Sequence, residues 1–290
     1  MQQATVTSQT TQPFNLARPN DIQLLVLDID GTIAGASNNI REPVKQAVRA
    51  AQATGVQVAI ATGRMYRSAL RFHHDIGATL PLMAYQGALI KDPATQTIHR
   101  HWTVPKHLAL RLLDHFEQPE LYSLLSIHFY MDDQLYVREL TPASRDYGER
   151  TGVEPIPIGD LRKSLTTEPT KVLALSDDAD LIYRLLNTLR DRHPPAELYL
   201  TTSVATFFEA THPLVNKGTA VRYLAEEHLG IQAANVMVIG DNFNDLEMIE
   251  YAGIGVAMGN APEGVKKSAN WIAPSVEADG AAAAIAEFLL

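Results

Sequence analysis

In the first third of the chain, continuous runs of apolar residues alternate with segments in which apolar residues recur at helical spacing. Residues 22–27 are almost all aliphatic, which is typical of a strand buried on both faces of a parallel sheet. Between Pro43 and Gly55, apolar residues recur at i, i+3, i+4 and i+7, and this spacing predicts a helix over 42–54. The same reasoning predicts, in order, a strand at 56–61, a helix at 65–75 and a strand at 82–85. Strands and helices that alternate in this way favour a parallel sheet with right-handed crossovers.

The last third repeats this alternation. A helix is predicted at 219–229, where Gly230 ends it, and a buried strand follows at 236–239. The remaining predicted elements are a helix at 246–251, a short strand at 254–257 and a closing helix at 281–289. We therefore predict that the first and last thirds form one α/β core built on a doubly wound, Rossmann-like parallel sheet.

The middle third has a different pattern, in which short strands are separated by tight turns. The apolar segments 122–130 and 134–137 flank Asp132-Asp133 and predict a hairpin. Further along, the pattern predicts a strand at 171–175, a helix at 181–190 and a strand pair at 198–202 and 206–210. We predict an α+β cap domain at 93–212, inserted into a core formed by 21–92 and 213–290, and a polar, disordered tail at 1–20.

Acidic residues follow two of the predicted core strands, at the edge where doubly wound sheets bind their ligands. Asp28 and Asp30 follow the first strand and, being two residues apart, project to the same side. Asp241 and Asp245 follow the strand at 236–239 and are expected to converge on them. Two carboxylates about 4 Å apart repel by about 4 kcal/mol at an effective dielectric constant of about 20, so the cluster requires a cation or protonation. Because all the candidate ligands are oxygens, Mg²⁺ is the expected ion.

Residues suited to binding phosphate stand at other strand and helix ends. Thr62 and Gly63 offer a hydroxyl and backbone N–H groups that suit a phosphoryl oxygen. Lys217 opens a predicted helix, and its charge could keep Asp28 ionised and neutralise a phosphate. Taken alone, a Thr-Gly turn or a lysine in a first helical turn is usually structural. Arg64 can equally contact the substrate or lie on the surface.

Composition and charge narrow the class of protein. A net charge of -9, with no long run of Lys and Arg, argues against a protein that coats nucleic acid. The chain has no cysteine, which excludes disulfides, thiolate catalysis and cysteine-bound zinc and fits a reducing cytoplasm. The longest apolar runs are too short to span a bilayer. We expect a cytoplasmic protein that acts on a small anionic partner, without nucleic acid, membrane or an obligate protein partner.

Four motifs resemble those of the haloacid dehalogenase superfamily of phosphatases. In chain order they are Asp28-Ile-Asp30-Gly-Thr, Ala61-Thr62-Gly63-Arg64, Lys217-Gly, and Gly240-Asp241-Asn-Phe-Asn244-Asp245-Leu-Glu-Met248. The stretch 252–262 is similar to the Cof-like subgroup, whose large type IIB cap is inserted between the second and third motifs. The predicted cap domain falls at that place in the chain, and the resemblance covers nearly everything from residue 21 onward.

The resemblance implies a role for each motif residue. Asp28 would be the nucleophile that forms an aspartyl-phosphate, and Asp30 would be the general acid and base. The Asp28 carboxylate, the backbone carbonyl of Asp30 and Asp241 would hold Mg²⁺, with Asn244 and Asp245 in support. The residues expected to bind the phosphate are Thr62, Gly63 and Lys217, with Arg64 as a further candidate. The implied activity is hydrolysis of phosphate monoesters of small metabolites, such as sugar phosphates.

Three other functions stay open at this point. A phosphotransferase or phosphomutase would pass the phosphoryl group to a sugar instead of water. A specialised phosphatase of the sucrose- or trehalose-phosphate type would prefer one disaccharide phosphate. A phosphorylatable signalling domain would have no turnover, and the acid/base residue Asp30 argues against it.

The sequence departs from the family pattern at one place. Gln86-Gly87-Ala88 stands where the family usually has Asn-Gly-Ala, and the longer side chain is expected to alter a loop near the site.

Which residues of the cap domain recognise the leaving group is left open by the sequence. The polar and aromatic candidates in the cap domain are His128, Tyr130, Arg138, Arg145 and Tyr147. A strand or surface position explains each of them equally well.

Overall fold

The computed structural model describes residues 21–202 and 204–290, so the predicted tail at 1–20 lies outside the described residues. The strands, numbered in chain order, are β1 Leu24–Leu27, β2 Gln57–Ile60, β3 Leu82–Ala84, β4 Leu89–Lys91, β5 Ile98–His101, β6 Ser126–Met131, β7 Gln134–Val137, β8 Pro155–Pro157, β9 Lys171–Leu175, β10 Tyr199–Thr201, β11 Phe207–Thr211, β12 Val236–Gly240, β13 Ile254–Ala257 and β14 Trp271–Ile272. The helices are α1 Glu42–Ala53, α2 Tyr66–Asp75, α3 Lys106–Phe116, α4 Pro142–Thr151, α5 Leu161–Ser164, α6 Ala179–Arg192, α7 Lys217–Arg222, α8 Leu246–Tyr251, α9 Glu263–Lys266 and α10 Gly280–Leu289.

Within these residues, β1 lies inside a five-stranded parallel sheet with the order β14-β13-β12-β1-β2. Alternate side chains of a strand face opposite sides of its sheet. Leu25 and Leu27 accordingly pack in one apolar cluster with α1 and α10, whereas Leu24 and Val26 pack in another with α7 and α8. Helices therefore cover both faces, which confirms the predicted doubly wound α/β fold.

The strand predicted at 82–85 joins this sheet less than expected. β3 meets the parallel sheet at a single bridge, between Ala61 and Met83, and otherwise pairs antiparallel with β4. The reason is a reversal at Tyr85 and Gln86, whose φ angles of 53° and 61° turn the chain back beside β3. β4 then pairs with β5, although β5 lies within the range predicted for the cap domain. The limits 93–212 stay a prediction.

The helix predicted at 219–229 begins earlier and changes its geometry. α7 starts at Lys217, and the turns that follow it, Tyr223–Leu229, have the wider π-helical form. Gly230 ends the helix with a φ of 69°, as predicted. The earlier start places Lys217 in the first helical turn.

A second sheet has the order β10-β11-β9-β6-β7-β8 and is antiparallel except for the β7–β8 pair. The hairpin predicted at Asp132 and Asp133 is confirmed, and both residues have positive φ angles, of 50° and 55°. One face of this sheet packs against α3 and α6 in an apolar cluster of its own. The other face carries Tyr130 and Leu173, which belong to a cluster of the core sheet. This second face therefore lies against the core.

None of the helices in the described part of the chain has the length and apolar character that crossing a bilayer requires.

A buried histidine in the second sheet makes stability depend on pH. His128 in β6 has no exposed surface, and its Nε2 lies 3.0 Å from Ser144 Oγ. Burial, with a smaller contribution from the charge of Lys171, lowers the pKa of His128 from 6.5 to about 3. Below pH 6.5 the unfolded chain takes up a proton that the folded chain does not, so stability is lost as the pH falls toward 3. We expect His128 alone to lower the free energy of unfolding by up to about 1.4 kcal/mol per pH unit in that window.

Urea unfolding of wild type and His128→Gln across this pH window measures the effect. The variant should show a shallower loss of stability on acidification, because glutamine does not take up the proton. His107→Gln, which changes an exposed histidine of α3, is the matched control and should keep the wild-type slope. Equal slopes for wild type and His128→Gln would contradict the assignment.

Candidate active site

Three loops of the core meet at the carboxyl edge of the parallel sheet. β1 lies between β12 and β2, so the residues that follow these three strands are neighbours. Asp28 follows β1, Gly63 lies in the turn after β2, and Asp241 follows β12. Asp28, Asp241 and Asp245 each offer a carboxylate oxygen, and these oxygens lie within 4.8 Å of one another. The structure thus brings together acidic residues that the sequence places at separate strand ends.

Lys217 supplies a buried positive charge to this cluster. Its side chain has no exposed surface, and its Nζ donates to Asp28 Oδ1 and to Asp245 Oδ1, both at 2.5 Å. The start of α7 fixes this position, because Asn216 Oδ1 accepts from the backbone N–H of Thr219 at 2.7 Å and caps the helix. The ammonium group is therefore held between two carboxylates by local helix geometry.

The side chain of Asp245 bonds back to the start of the loop that follows β12. Besides the contact with the ammonium group, its Oδ2 accepts from the backbone N–H groups of Asp241 and Asn242, at 2.8 and 3.0 Å. The carboxylate of Asp241 itself accepts longer bonds, from Thr32 Oγ1 at 3.4 Å and Asn260 Nδ2 at 3.2 Å. Asp245 therefore shapes the loop, and Asp241 presents its carboxylate to the cluster. Asn260 lies in the stretch 252–262 that carries the subgroup resemblance, but it was not predicted as a site residue.

The cluster holds more negative charge than Lys217 balances. Burial raises the pKa of Asp28 above its ordinary value; the charge of Lys217 opposes this, and those of Asp245 and Asp30 add to it. Burial likewise raises the pKa of Asp241, with further increases from the charges of Asp28 and Asp245. Carboxyl groups in this situation take up protons or bind a cation near neutral pH. The all-oxygen donor set and its charge fit a hard divalent ion such as Mg²⁺.

Asp30 is paired with Arg64. Arg64 Nε donates to Asp30 Oδ2 at 2.8 Å and Nη2 donates to Asp30 Oδ1 at 2.6 Å, a two-point contact. Nη2 also donates to Asn38 Oδ1 at 2.7 Å. Burial pushes the pKa of Asp30 upward, but the hydrogen bonds and charge of Arg64, together with the charges of Arg150 and Lys217, outweigh it and leave the pKa below its ordinary value. Arg64 is 7% exposed, so it is a buried partner of Asp30 and not a surface residue.

Thr62 and Gly63 form the turn after β2. Thr62 is fully buried, and its hydroxyl oxygen accepts from the backbone N–H of Arg64 at 3.1 Å. A Cβ added to Gly63 would lie 2.6 Å from Gln86 Nε2, so a side chain here would displace that amide. Thr62 therefore stabilises the turn, and the absence of a side chain at Gly63 leaves room for the Gln86 amide beside it.

A cavity of about 110 Å³ lies between these loops and the second sheet. The predicted site residues that line it are Asp28, Asp30, Gly63, Arg64, Asp241 and Asn244. Thr62, Lys217 and Asp245 do not line it, but each contacts a residue that does. The predicted residues thus form one wall of the cavity and the layer directly behind it.

The opposite wall comes from α4, β9, β11 and the loop before β11. Its residues are Tyr147, Arg150, Thr151, Lys171, Leu173, Val204, Phe207 and Glu209. Of the earlier candidates for this wall, Tyr147 lines the cavity, whereas His128, Tyr130, Arg138 and Arg145 do not. Arg150, Lys171 and Glu209 were not predicted from the sequence as site residues. A signal existed for the last two, since a charged residue in a buried strand is rarely there without a partner.

Known proteins match this chain over most of its length. It is 32% identical over 284 residues to YxeH of Bacillus subtilis (strain 168), whose name assigns it provisionally to the phosphatases, and the match covers 92% of this chain and 98% of that protein. It is 27% identical over 274 residues to YitU of the same organism, named a 5-amino-6-(5-phospho-D-ribitylamino)uracil phosphatase, with 91% and 97% covered. Among solved structures, the subclass IIB sugar phosphatase BT4131 has a TM-score of 0.79 at 22% identity, with 92% of this chain and 98% of that chain covered.

The family model described as haloacid dehalogenase-like hydrolase matches residues 25–285. This range includes all four motifs, so the resemblance seen in the sequence is confirmed. The likeness in fold to BT4131 agrees with the second sheet, which is inserted in this chain between the second and third motifs. The chain belongs to the haloacid dehalogenase-like hydrolase family and is a phosphatase of that family.

Proposed function

We propose that the protein hydrolyses phosphate monoesters of small metabolites through a covalent phosphoryl-aspartate at Asp28, with Mg²⁺ as its cofactor. The observation that carries the proposal is the position of Asp28, which lies in the cavity wall, 2.5 Å from a buried ammonium and next to two further carboxylates. Lys217 stabilises the ionised form of Asp28, and an ionised carboxylate is the form that attacks phosphorus.

The reaction is proposed in two steps. In the first, an Asp28 carboxylate oxygen forms a bond to phosphorus while the bond from phosphorus to the leaving oxygen breaks, and Asp30 gives that oxygen a proton. In the second, Asp30 takes a proton from water, which attacks phosphorus and releases inorganic phosphate and Asp28. Arg64 favours the ionised form of Asp30, which the second step requires. For the first step, Asp30 must be protonated and free of Arg64.

The phosphoryl oxygens gain negative charge as the leaving group departs, and positive or hydrogen-bonding groups must be in place to meet it. Lys217 is fixed by the helix cap, and the Thr62-Gly63 turn is fixed by the bond to Arg64, so both are ready before the reaction. We propose that these three residues bind the phosphoryl group. Positioning of this kind accounts for most of the catalysis of phosphoryl transfer.

The metal is proposed to be held by the Asp28 carboxylate, the backbone carbonyl of Asp30 and Asp241, with Asn244 and Asp245 in support. The excess negative charge of the cluster favours this assignment. Bound Mg²⁺ would neutralise charge on the phosphoryl group and on the attacking carboxylate. Asp245 acts through its loop, because its oxygens already accept from Lys217 and from two backbone N–H groups.

The domain assignment, the substrate class, the partners and the location are also proposals. We assign residues 93–212 to a cap domain that contacts the leaving group, and 21–92 with 213–290 to the catalytic core. The substrate class is phosphorylated small metabolites, of which sugar phosphates are one candidate. A net charge of -9 supports a function without nucleic acid, and the absence of cysteine supports a cytoplasmic location. The phosphatase names of the relatives favour water over a sugar as the phosphoryl acceptor.

The first experiment is release of inorganic phosphate from p-nitrophenyl phosphate and from a panel of metabolite phosphates, with Mg²⁺ or with EDTA. We expect removal of the metal to lower the rate at least about a hundredfold, because the carboxylate cluster then repels the phosphoryl group. Stoichiometric release of phosphate separates hydrolysis from transfer to a sugar. Rates that are equal with Mg²⁺ and EDTA would overturn the metal assignment.

A further inference from the structure

The wall of the cavity that belongs to the second sheet contains a buried pair of opposite charges. Lys171 in β9 and Glu209 in β11 are each 2% exposed, and Lys171 Nζ lies 3.4 Å from Glu209 Oε2. Taking two charges out of water costs more than their attraction returns unless further hydrogen bonds complete the pair. Both residues line the cavity opposite Asp28. Because burying two charges is unfavourable and the pair faces the reacting groups, packing alone does not explain why Lys171 and Glu209 are buried here.

Each member of the pair is held by a residue of the core. Lys171 Nζ donates to the backbone carbonyl of Gly63, in the phosphate-binding turn, at 3.0 Å. Gln86 Nε2 donates to Glu209 Oε2 at 3.3 Å. These two bonds run between the second sheet and the core across the edge of the cavity, so they set how far the charged pair stands from the phosphoryl site.

Gln86 also contacts the other side of the active site. Its Oε1 accepts from Asn244 Nδ2 at 3.1 Å, and its backbone N–H donates to the carbonyl of Thr62 at 2.9 Å. The amide orientation is fixed by its partners, because a carboxylate such as Glu209 only accepts. Gln86 has a φ of 61° and is 1% exposed, a conformation that non-glycine residues adopt mainly where the surroundings enforce it. One side chain therefore contacts both the metal side of the core and the opposite wall.

The length of this side chain matters. The hydrogen bond from its amide to Glu209, at 3.3 Å, is already long, and the one from Asn244, at 3.1 Å, is near the upper end of the ordinary range. Asparagine would withdraw the amide by about 1.5 Å, one carbon–carbon bond, and could not reach both partners. The glutamine that departs from the family pattern is the residue whose length the contact with Glu209 requires.

We propose that Gln86 is a positioning residue that places the Lys171–Glu209 pair against the leaving group of the substrate. The inference rests on the proposed function. A pair that presents one donor and one acceptor, and no net charge, complements a neutral group that both donates and accepts, such as a hydroxyl. A charged leaving group would be repelled by one member of the pair. Gln86 acts through Glu209, and Lys171 and Glu209 are the residues that contact the substrate.

The test measures binding without turnover, in the Asp28→Asn background, by calorimetry with Mg²⁺ present. The probes are inorganic phosphate, which has no leaving group, and a panel of hexose, pentose and glycerol phosphates. We expect Gln86→Met, which keeps the length and loses the amide, to raise the Kd of the tightest hydroxylated ester about tenfold and that of phosphate less than about twofold. Gln86→Asn should behave in the same way, and Glu209→Gln tests the same contact from the opposite wall if the Gln86 variants fail to fold.

A double-mutant cycle shows whether Gln86 acts through Glu209. In that case the Kd of Gln86→Met/Glu209→Gln equals that of the weaker single variant, whereas independent effects would multiply. Gln96→Met is the matched control, since Gln96 is an exposed glutamine with a φ of 62° in the β4–β5 turn, and it should change neither Kd. Equal losses for ester and phosphate, multiplying effects, or a panel in which no ester binds more tightly than phosphate would each overturn the inference. Failure of the proposed function appears separately, as wild-type protein that releases no phosphate.

Discussion

Replacement of Asp28 by asparagine is expected to abolish phosphate release, with a loss of at least about a thousandfold in kcat. The amide has the shape of the carboxylate but cannot attack phosphorus, so the covalent step is lost. The variant should still fold, because Lys217 keeps its ion pair with Asp245 and one of the mutually repelling carboxylates is removed. Phosphate release and the thermal unfolding midpoint, measured on the same preparation, separate these two effects.

Asp180→Asn is the matched control for this substitution. Asp180 is an exposed aspartate in the first turn of α6, remote in the fold from the carboxylate cluster, and its replacement should leave kcat unchanged. Turnover by Asp28→Asn within about tenfold of wild type would sink the assignment of Asp28 as nucleophile, since general electrostatic roles tolerate an amide far better than nucleophilic attack does.

Replacement of Lys217 by methionine is expected to have the largest effect on stability. Methionine fills a similar volume but leaves the carboxylates of Asp28 and Asp245 buried without their cation. Breaking a buried pair by removing one partner typically costs about 3–5 kcal/mol. Urea unfolding near neutral pH measures this loss, and kcat should fall by at least about a hundredfold with it. Although burial lowers the pKa of Lys217, the charges of Asp245 and Asp28 outweigh it and raise the pKa above its usual range, so the wild-type amine is charged at every pH of interest.

Two comparisons sharpen this prediction. Added Mg²⁺ should restore part of the stability of Lys217→Met, because the ion supplies positive charge to the same carboxylates. Lys45→Met removes a partly exposed ion pair with Asp75, 3.2 Å apart, and should cost less than about 1 kcal/mol. Equal losses for the two lysines would show that the buried pair contributes no more than a surface pair.

Much of the core was predictable because the order of the strands determines which sequence motifs lie next to one another. The segments around β1, β12 and β13 were predicted from apolar runs, and the carboxyl ends of β1 and β12 carry the acidic residues. In a parallel sheet these ends share one edge, so the convergence of Asp28 and Asp241 follows from the fold class alone. The position of Lys217 between two carboxylates did not follow, because it depends on the start of α7 at the Asn216 cap.

The opposite wall of the cavity was not predictable from the sequence. The strands that became β9 and β11 were recognised, but nothing in their pattern sets which strand pairs with which or at what register. The contact between Lys171 and Glu209 depends on that register, and their contacts with Gly63 and Gln86 depend on how the second sheet sits on the core. The helices α3 and α4 were also missed, although Leu108, Leu112 and Phe116 repeat at helical spacing.

The most direct test of the account is to find the phosphoryl group on Asp28. Asp30→Asn should slow hydrolysis of the intermediate, and p-nitrophenyl phosphate needs little help from an acid to leave, so the intermediate should accumulate when the two are mixed with Mg²⁺. Acid quench followed by peptide mass spectrometry is predicted to show one phosphoryl group on the peptide that contains Asp28. Release of p-nitrophenol with no phosphoryl group on Asp28, or with one on another residue, would contradict the account.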